Sequence, residues 1–313
     1  MDVDHVLLTR FNLPTVGAES LIRAREGWLR ERVALFERYC LPSVAAQSAT
    51  TFEWLVYFDP ESPAWLKERI SGWQSVLTPV FRATVDRAEL LADIESTLER
   101  RGKWLITTNL DNDDGLARDF VERIQSAESV PRRHAIYCDN GLIRRGDGLY
   151  LRNDPENAFC SVREPWDGAS TCWVDWHNLL GRSMEVIHVK GVPGWLQVVH
   201  ESNVSNRVRG RLVSPASYLE IFEVGALSGV ESPTASEIAH DRWVARPQRA
   251  CRDLARSVGR RTALRLLGKD GFDRLKAQIA TLRTGTPAPG SGDIARSSQS
   301  TPESASDPTK VQG

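Results

Sequence analysis

The sequence has little that would staple or anchor it from outside a hydrophobic core. Its five cysteines, at 40, 138, 160, 172 and 251, are odd in number and widely spaced, and no Cys-x-x-Cys pair occurs. Neither a disulfide framework nor a thiolate zinc site is indicated, and a reducing cytosol fits best. No stretch approaches the ~18 apolar residues expected of a membrane span. The opening MDVDHVLLTRF is acidic, with an apolar run too short for a secretory signal. These absences predict a soluble, cytoplasmic protein. Charge of one sign is lacking too: 40 Lys and Arg against 41 Asp and Glu leave a net charge of −1, so the overall balance does not suggest nucleic acid.

With 313 residues the chain is long enough for one large or two modest domains with a real core. The count of ten tryptophans is high; several (Trp166, Trp173, Trp176, Trp195) fall in the middle of the chain, where packing is their default role. Residues 4–10 (DHVLLTR) read as a buried strand. Residues 19–39 carry Leu21, Ile22, Trp28, Leu29, Val33, Phe36 and Tyr39 at helical spacing, with Pro42 after the end of that pattern. FEWLVYF at 52–58 reads as a strand, 63–76 as a helix, 79–85 as a short strand and 87–101 as a helix. Such alternation predicts a mostly parallel sheet covered by helices, with ligands beyond the carboxyl ends of its strands. From 134 to 200, short runs broken by Gly, Asn and Asp suggest antiparallel hairpins.

The most informative stretch is 104–116, WLITTNLDNDDGL. An apolar run leads into Asp111-Asn112-Asp113-Asp114, and three crowded carboxylates need a cation beside them. Oxygen ligands at the mouth of an α/β sheet suit Mg²⁺ or Mn²⁺ shared with substrate phosphates. The ordinary alternative is that Asp113 or Asp114 caps a helix beginning near Gly115, which takes one carboxylate or two but hardly three. A calcium loop fails: Glu122 is twelfth from Asp111, but Leu116 stands where glycine is required and a strand precedes. Thr9-Arg10, Asp59 and Asp111 all fall at predicted strand ends, facing one crevice.

Five segments in order, LLTRFNLP (7–14), YCLPSV (39–44), FEWLVYFD (52–59), LDNDDGL (110–116) and WLQVVHESNVSNRVRG (195–210), resemble the rhamnosyltransferase family of bacterial glycosyltransferases with a GT-A-like fold. The resemblance implies a metal-dependent transfer of a sugar, rhamnose by the family's name, from a nucleotide-diphosphate donor to a glycan or lipid-linked acceptor. It implies Asp111 and Asp113 as an Asp-x-Asp pair holding Mn²⁺ or Mg²⁺, with His200 completing the metal or diphosphate contacts. Thr9, Arg10, Phe11 and Asp59 would meet base and ribose, and Asn203, Asn206 and Arg207 the phosphates. For the base that deprotonates an acceptor hydroxyl, Glu164 is the first choice, with Asp167 and Asp175 as alternatives; His177 is either the base or an acceptor contact, or a core histidine beside Trp176.

Two rival functions stand beside this one. A non-catalytic sugar-nucleotide or glycan-binding protein would share the fold but lack a base in 159–178. A nucleotidyltransferase would want a glycine-rich basic loop after the first strand, and TRFNLPTVGAES has one glycine and one arginine. The resemblance spans residues 5 to about 210, and 1–212 is expected as a GT-A-like transferase domain; 213–283 reads as a helical, basic extension and 284–313 as a disordered tail. From Arg242 to Arg283 there are 12 Arg or Lys against three Asp. That segment is either a solvated helical face or a peripheral contact with an anionic membrane surface.

Overall fold

The computed structural model describes residues 2–14, 27–200 and 208–252. By its internal contacts the chain divides into two units, Met1–Cys251 and Arg252–Gly313, and everything below concerns the first.

The predicted alternation of strand and helix forms. Strands β1 (Val3–Arg10), β2 (Glu53–Phe58), β3 (Thr78–Phe81) and β4 (Trp104–Asn109) pair in parallel in the order β4-β1-β2-β3. Side chains alternate across a strand, and the two faces are both apolar here. Leu7, Trp54, Val56, Phe58 and Ile106 enter one core. Val6, Leu8, Leu55, Tyr57 and Leu105 enter the other. Helices α1 (Trp28–Leu35) and α3 (Ala64–Trp73) cover the first face, through Val33, Leu66, Ile70 and Trp73. Helix α4 (Arg87–Ser96) covers the second through Leu90 and Ile94. Asp86 and Glu89 form a capping box at its start.

The helix expected at 19–39 is described only from Trp28, so Leu21 and Ile22 lie outside the described residues. It also passes the proline expected to end it, continuing through a π turn (Phe36–Cys40) into α2 (Leu41–Ala45). Proline lacks an N–H and crowds the carbonyl four residues back. The π turn, with Leu41 N donating to Phe36 O, widens that step.

After β4 the chain changes texture as expected. A two-residue strand β5 (Gly115–Leu116) precedes α5 (Phe120–Gln125), followed by β6 (His134–Cys138), β7 (Asn140–Arg145), β8 (Gly148–Asn153) and β9 (Ser161–Pro165). β10 (Glu185–Val189), β11 (Trp195–Val198) and β12 (Arg211–Leu212) complete the strands. β9 runs antiparallel between β4 and β6, and β6 pairs in parallel with β10, giving a seven-stranded mixed sheet. The second sheet, β12-β8-β7-β11-β5, contains the expected β7–β8 hairpin. Gly141 lets it close, because a Cβ there would lie 1.9 Å from the ring of Trp195. Phe222, Ala226 and Leu227, from beyond residue 212, belong to the first core.

Candidate functional site

Asn109 ends β4, and Leu110 drops into the core with its N–H donating to Leu8 O at 3.0 Å. The next four residues separate by environment. Asp111 stays open to solvent, with Asn109 Nδ2 donating to its Oδ1 at 3.4 Å. Asn112 turns inward and donates to the carbonyls of Arg10 (2.9 Å) and Phe11 (2.7 Å), tying the loop to the end of β1. Asp113 is nearly buried; Arg32 Nη1 donates to its Oδ2 at 2.6 Å, and His200 Nε2 lies 2.8 Å from the same oxygen. Asp114 is fully buried, with Oδ1 accepting from Val198 N at 2.8 Å. Its Oδ2 has no hydrogen-bond partner among the described residues.

The helix-cap alternative is thereby overturned. Gly115 and Leu116 pair with β11, and the helix starts only at Phe120, without a side-chain cap. Asp113 and Asp114 instead fasten the loop to Arg32, His200 and β11.

The electrostatics follow from this sorting. Reduced hydration in the recess, then the charge of Asp113, raises the pKa of Asp111. Burial, reinforced by both neighbouring carboxylates, pushes Asp114 well up. Burial works the same way on Asp113, but the hydrogen bond from His200 and the charge of Arg32 outweigh it and hold this carboxyl below its ordinary range. Arg32 also donates to Asn112 Oδ1 at 3.1 Å. Part of the cation that the crowded carboxylates require is therefore an arginine of this chain. Nothing in the sequence marks it: Arg32 lies about eighty positions away on a helix full of arginines.

The residues at the end of β1 divide. Arg10 is exposed, and its guanidinium stacks over Trp173 at 3.9 Å. Trp173 Nε1 donates to Asn109 Oδ1 at 2.8 Å, so Arg10, Trp173, Asn109 and Asp111 form one connected rim. Thr9 and Phe11, expected as donor contacts, are core residues instead. Thr9 Oγ1 accepts from Trp54 Nε1 at 2.9 Å, and Phe11 packs among Phe36, Phe58 and Trp73. Both fall on the face of Leu7, in the first core, whereas Arg10 takes the other face where the strand ends and is exposed. Asp59 shapes the turn after β2, accepting from Glu61 N at 2.8 Å, and makes no bond to the acidic loop.

Of the expected bases, His177 is half-buried on this rim and close enough for its charge to act on Asp111. Its Nδ1 lies 2.6 Å from Glu156 O, and its own carbonyl accepts from the Tyr137 hydroxyl. Glu164 does not fit the role of base. It pairs with Leu105 in β4, about 13 Å along the strand from Asn109. It is fully buried and accepts from Ser170 N, Thr171 N and Arg133 Nε. Asp167 and Asp175 are exposed. Asn203, Asn206 and Arg207 lie outside the described residues.

Among the described residues no three His, Cys, Asp or Glu side chains are placed to hold a metal ion, so the expected trio of Asp111, Asp113 and His200 does not form one. What the loop offers is one open carboxylate, Asp111, beside the nearly buried Asp113. That suits a hard divalent ion drawing most of its ligands from phosphate and water. Among the described residues no helix is long and apolar enough to cross a membrane.

The pattern of the family described as "Putative rhamnosyl transferase" matches residues 4–212. No curated protein matches the chain. Solved structures similar to it include S. aureus TarS, at 11% identity over 64% of this chain and 37% of that one, with a TM-score of 0.36. GalNAc-T7 with UDP, GalNAc and Mn²⁺ is similar at 11% identity over 66% and 45%, TM-score 0.37. The inositol-1-phosphate CTP transferase from T. maritima is similar at 11% identity over 64% and 91%, TM-score 0.35. The chain spans 37% to 62% of the TarS chains it matches. Two thirds of its own length carries the family pattern, and the chain belongs to the family described as putative rhamnosyl transferases.

Proposed function

We propose that this protein is a GT-A-like glycosyltransferase that moves a sugar, rhamnose in the reading its family suggests, from a nucleoside-diphosphate donor to a glycan or lipid-linked acceptor. The observation that carries the proposal is the meeting of Asp113 with Arg32 and His200, next to the open Asp111, beyond the carboxyl ends of β1 and β4. That is where a parallel sheet presents ligands.

A divalent ion, when bound, would be held by Asp111 and Asp113 and would neutralise charge on the departing diphosphate. The chain's own residues do the rest. Arg10 and Trp173 offer a flat cationic surface at the end of β1 for the nucleotide. Arg32 and His200 keep Asp113 ionised and fixed. His177 is the general base. With Nδ1–H given to Glu156 O, its Nε2 carries the lone pair that takes the acceptor's proton. A membrane-borne acceptor is supported by Trp243, 72% exposed beside Arg242 and Arg246 on the helical segment after residue 235.

Release of nucleoside diphosphate from a panel of nucleotide sugars, with and without Mn²⁺ and glycan acceptors, tests the reading. Acceptor-dependent release supports transfer. Binding without release at any acceptor identifies a non-catalytic sugar-nucleotide-binding protein.

A further inference from the structure

Buried Glu164 is fully engaged, but what it engages is a segment that returns to the site. From Pro165 the chain doubles back along β4. Cys172 N donates to Thr107 Oγ1 at 2.8 Å, Trp173 Nε1 reaches Asn109 at 2.8 Å, and His177 follows, its Nδ1 2.6 Å from Glu156 O. Its far end packs Trp166 and Ala169 into the second core and is fastened beside them by charged groups. Glu164 accepts from Ser170 N at 3.0 Å and from Thr171 N at 2.7 Å. Arg133 bridges Glu164 Oε2 and Gly168 O, each at 2.6 Å. Arg87 donates to Ala169 O at 2.8 Å and Gly168 O at 2.7 Å.

Between these fasteners sits a strained residue. Thr171 has φ 67°, the one non-glycine positive φ among the described residues. A β-branched side chain disfavours that conformation strongly. It persists only where its surroundings over-determine it, and such strain collects at functional sites. Here the over-determination is the carboxylate of Glu164, which takes the N–H groups of Ser170 and Thr171 while Cys172 N is taken by Thr107.

We infer that Glu164 is a positioning residue: with Arg133 it clamps the strained 166–174 strap, and through it sets Trp173 against Arg10 and places the His177 that follows. The clamp follows from the hydrogen bonds; its consequence for the reaction rests on the transferase reading above.

Cys172 reports the strap directly. It is buried, as are Cys40 and Cys138 elsewhere in the core, whereas Cys251 is exposed. In a Cys251→Ser background of the full chain, labelling by iodoacetamide is followed for each cysteine by mass spectrometry, in Glu164→Ala and Glu164→Gln. Affinity for UDP, dTDP, GDP and CDP with Mn²⁺ and turnover of the corresponding nucleotide sugars are measured beside it.

Local opening exposes one segment ahead of the rest, so Glu164→Ala should label at Cys172 more than about tenfold faster while Cys40 and Cys138 keep the parent rate. Turnover should fall in parallel. Glu164→Gln retains an acceptor oxygen for Thr171 N and should recover much of both. Cys172 labelling at the parent rate in Glu164→Ala overturns the clamp, and so does equal acceleration at every cysteine. A Gln variant as inactive as Ala, with Cys172 still protected, makes Glu164 a catalytic group and overturns the positioning role. A parent protein that neither binds nor turns over any nucleotide sinks the transferase reading, while the labelling pattern still decides the clamp.

Discussion

Arg32 and Asp113 meet at 2.6 Å with side chains only 13% and 7% exposed, joining the helix after the first strand to the acidic loop after the fourth. A pair held this far from water is tolerable because each charge compensates the desolvation of the other. Removing one partner leaves the other stranded. Arg32→Met should therefore cost about 3 kcal/mol, the low end of the range for breaking a buried pair, since His200 remains on Asp113. Urea unfolding at neutral pH measures it; a loss under about 0.5 kcal/mol, the scale of surface substitutions, would show the pair to be solvated.

Asp111 predicts the opposite balance. It is open, and its pKa is raised by the recess and by Asp113, so its charge works against folding rather than for it. Asp111→Asn should change stability by no more than about 0.5 kcal/mol, yet abolish the metal-dependent part of nucleotide binding. A melt and a titration on the same sample separate the two effects.

His177→Ala should leave nucleotide affinity near the parent value and lower turnover by about 10²- to 10⁴-fold, the usual worth of a general base. Equal losses in affinity and turnover would place His177 in donor binding instead.

Acid stability should carry the signature of His5. This side chain is buried in β1, its Nε2 2.9 Å from Thr108 Oγ1, and burial lowers its pKa from 6.5 to about 3. Between those values the unfolded chain binds a proton that the folded chain does not. Stability is then full above pH 6.5 and falls as the pH drops toward 3, by about 1.4 kcal/mol per unit from this group. Replacing His5 with Leu should flatten that slope, because Thr108 keeps Ser161 Oγ at 2.6 Å. Urea midpoints across pH 4 to 8 (about the span of this titration) read it; an unchanged slope would assign the acid sensitivity elsewhere.

Gly141→Ala should destabilise by at least about 1 to 3 kcal/mol, the cost of overpacking. The added carbon would fall within the Trp195 ring, which Phe159 stacks on and Cys138 O holds through Nε1 at 2.9 Å.

Sequence legibility divides along physical lines. The strands at 4–10 and 52–58 and the helix at 63–76 carry strong local periodicity, and the structure reproduces them as Val3–Arg10, Glu53–Phe58 and Ala64–Trp73. Local pattern also put Asp111 at a strand end, and the family resemblance pointed to Asp113 and His200, which lie 2.8 Å apart. What stayed hidden depends on three-dimensional register. Thr9 and Phe11 are polar or aromatic residues at a strand end, but the alternation of β1 buries both. Glu164 looks like a base at the end of a strand; only the antiparallel pairing of β9 shows that the strand ends away from the site. Arg32 is a cation from a distant helix, and only the tertiary fold brings it to Asp113.

The central claim is that the Asp111–Asp113 cluster is the donor site. Calorimetric titration of UDP, dTDP, GDP and CDP, with and without Mn²⁺, into the parent protein and Asp111→Asn tests it most directly. The account predicts that one nucleotide binds with a metal-dependent affinity lost in the variant. Binding of none of the four to folded parent protein, or equal binding by the variant, would contradict it.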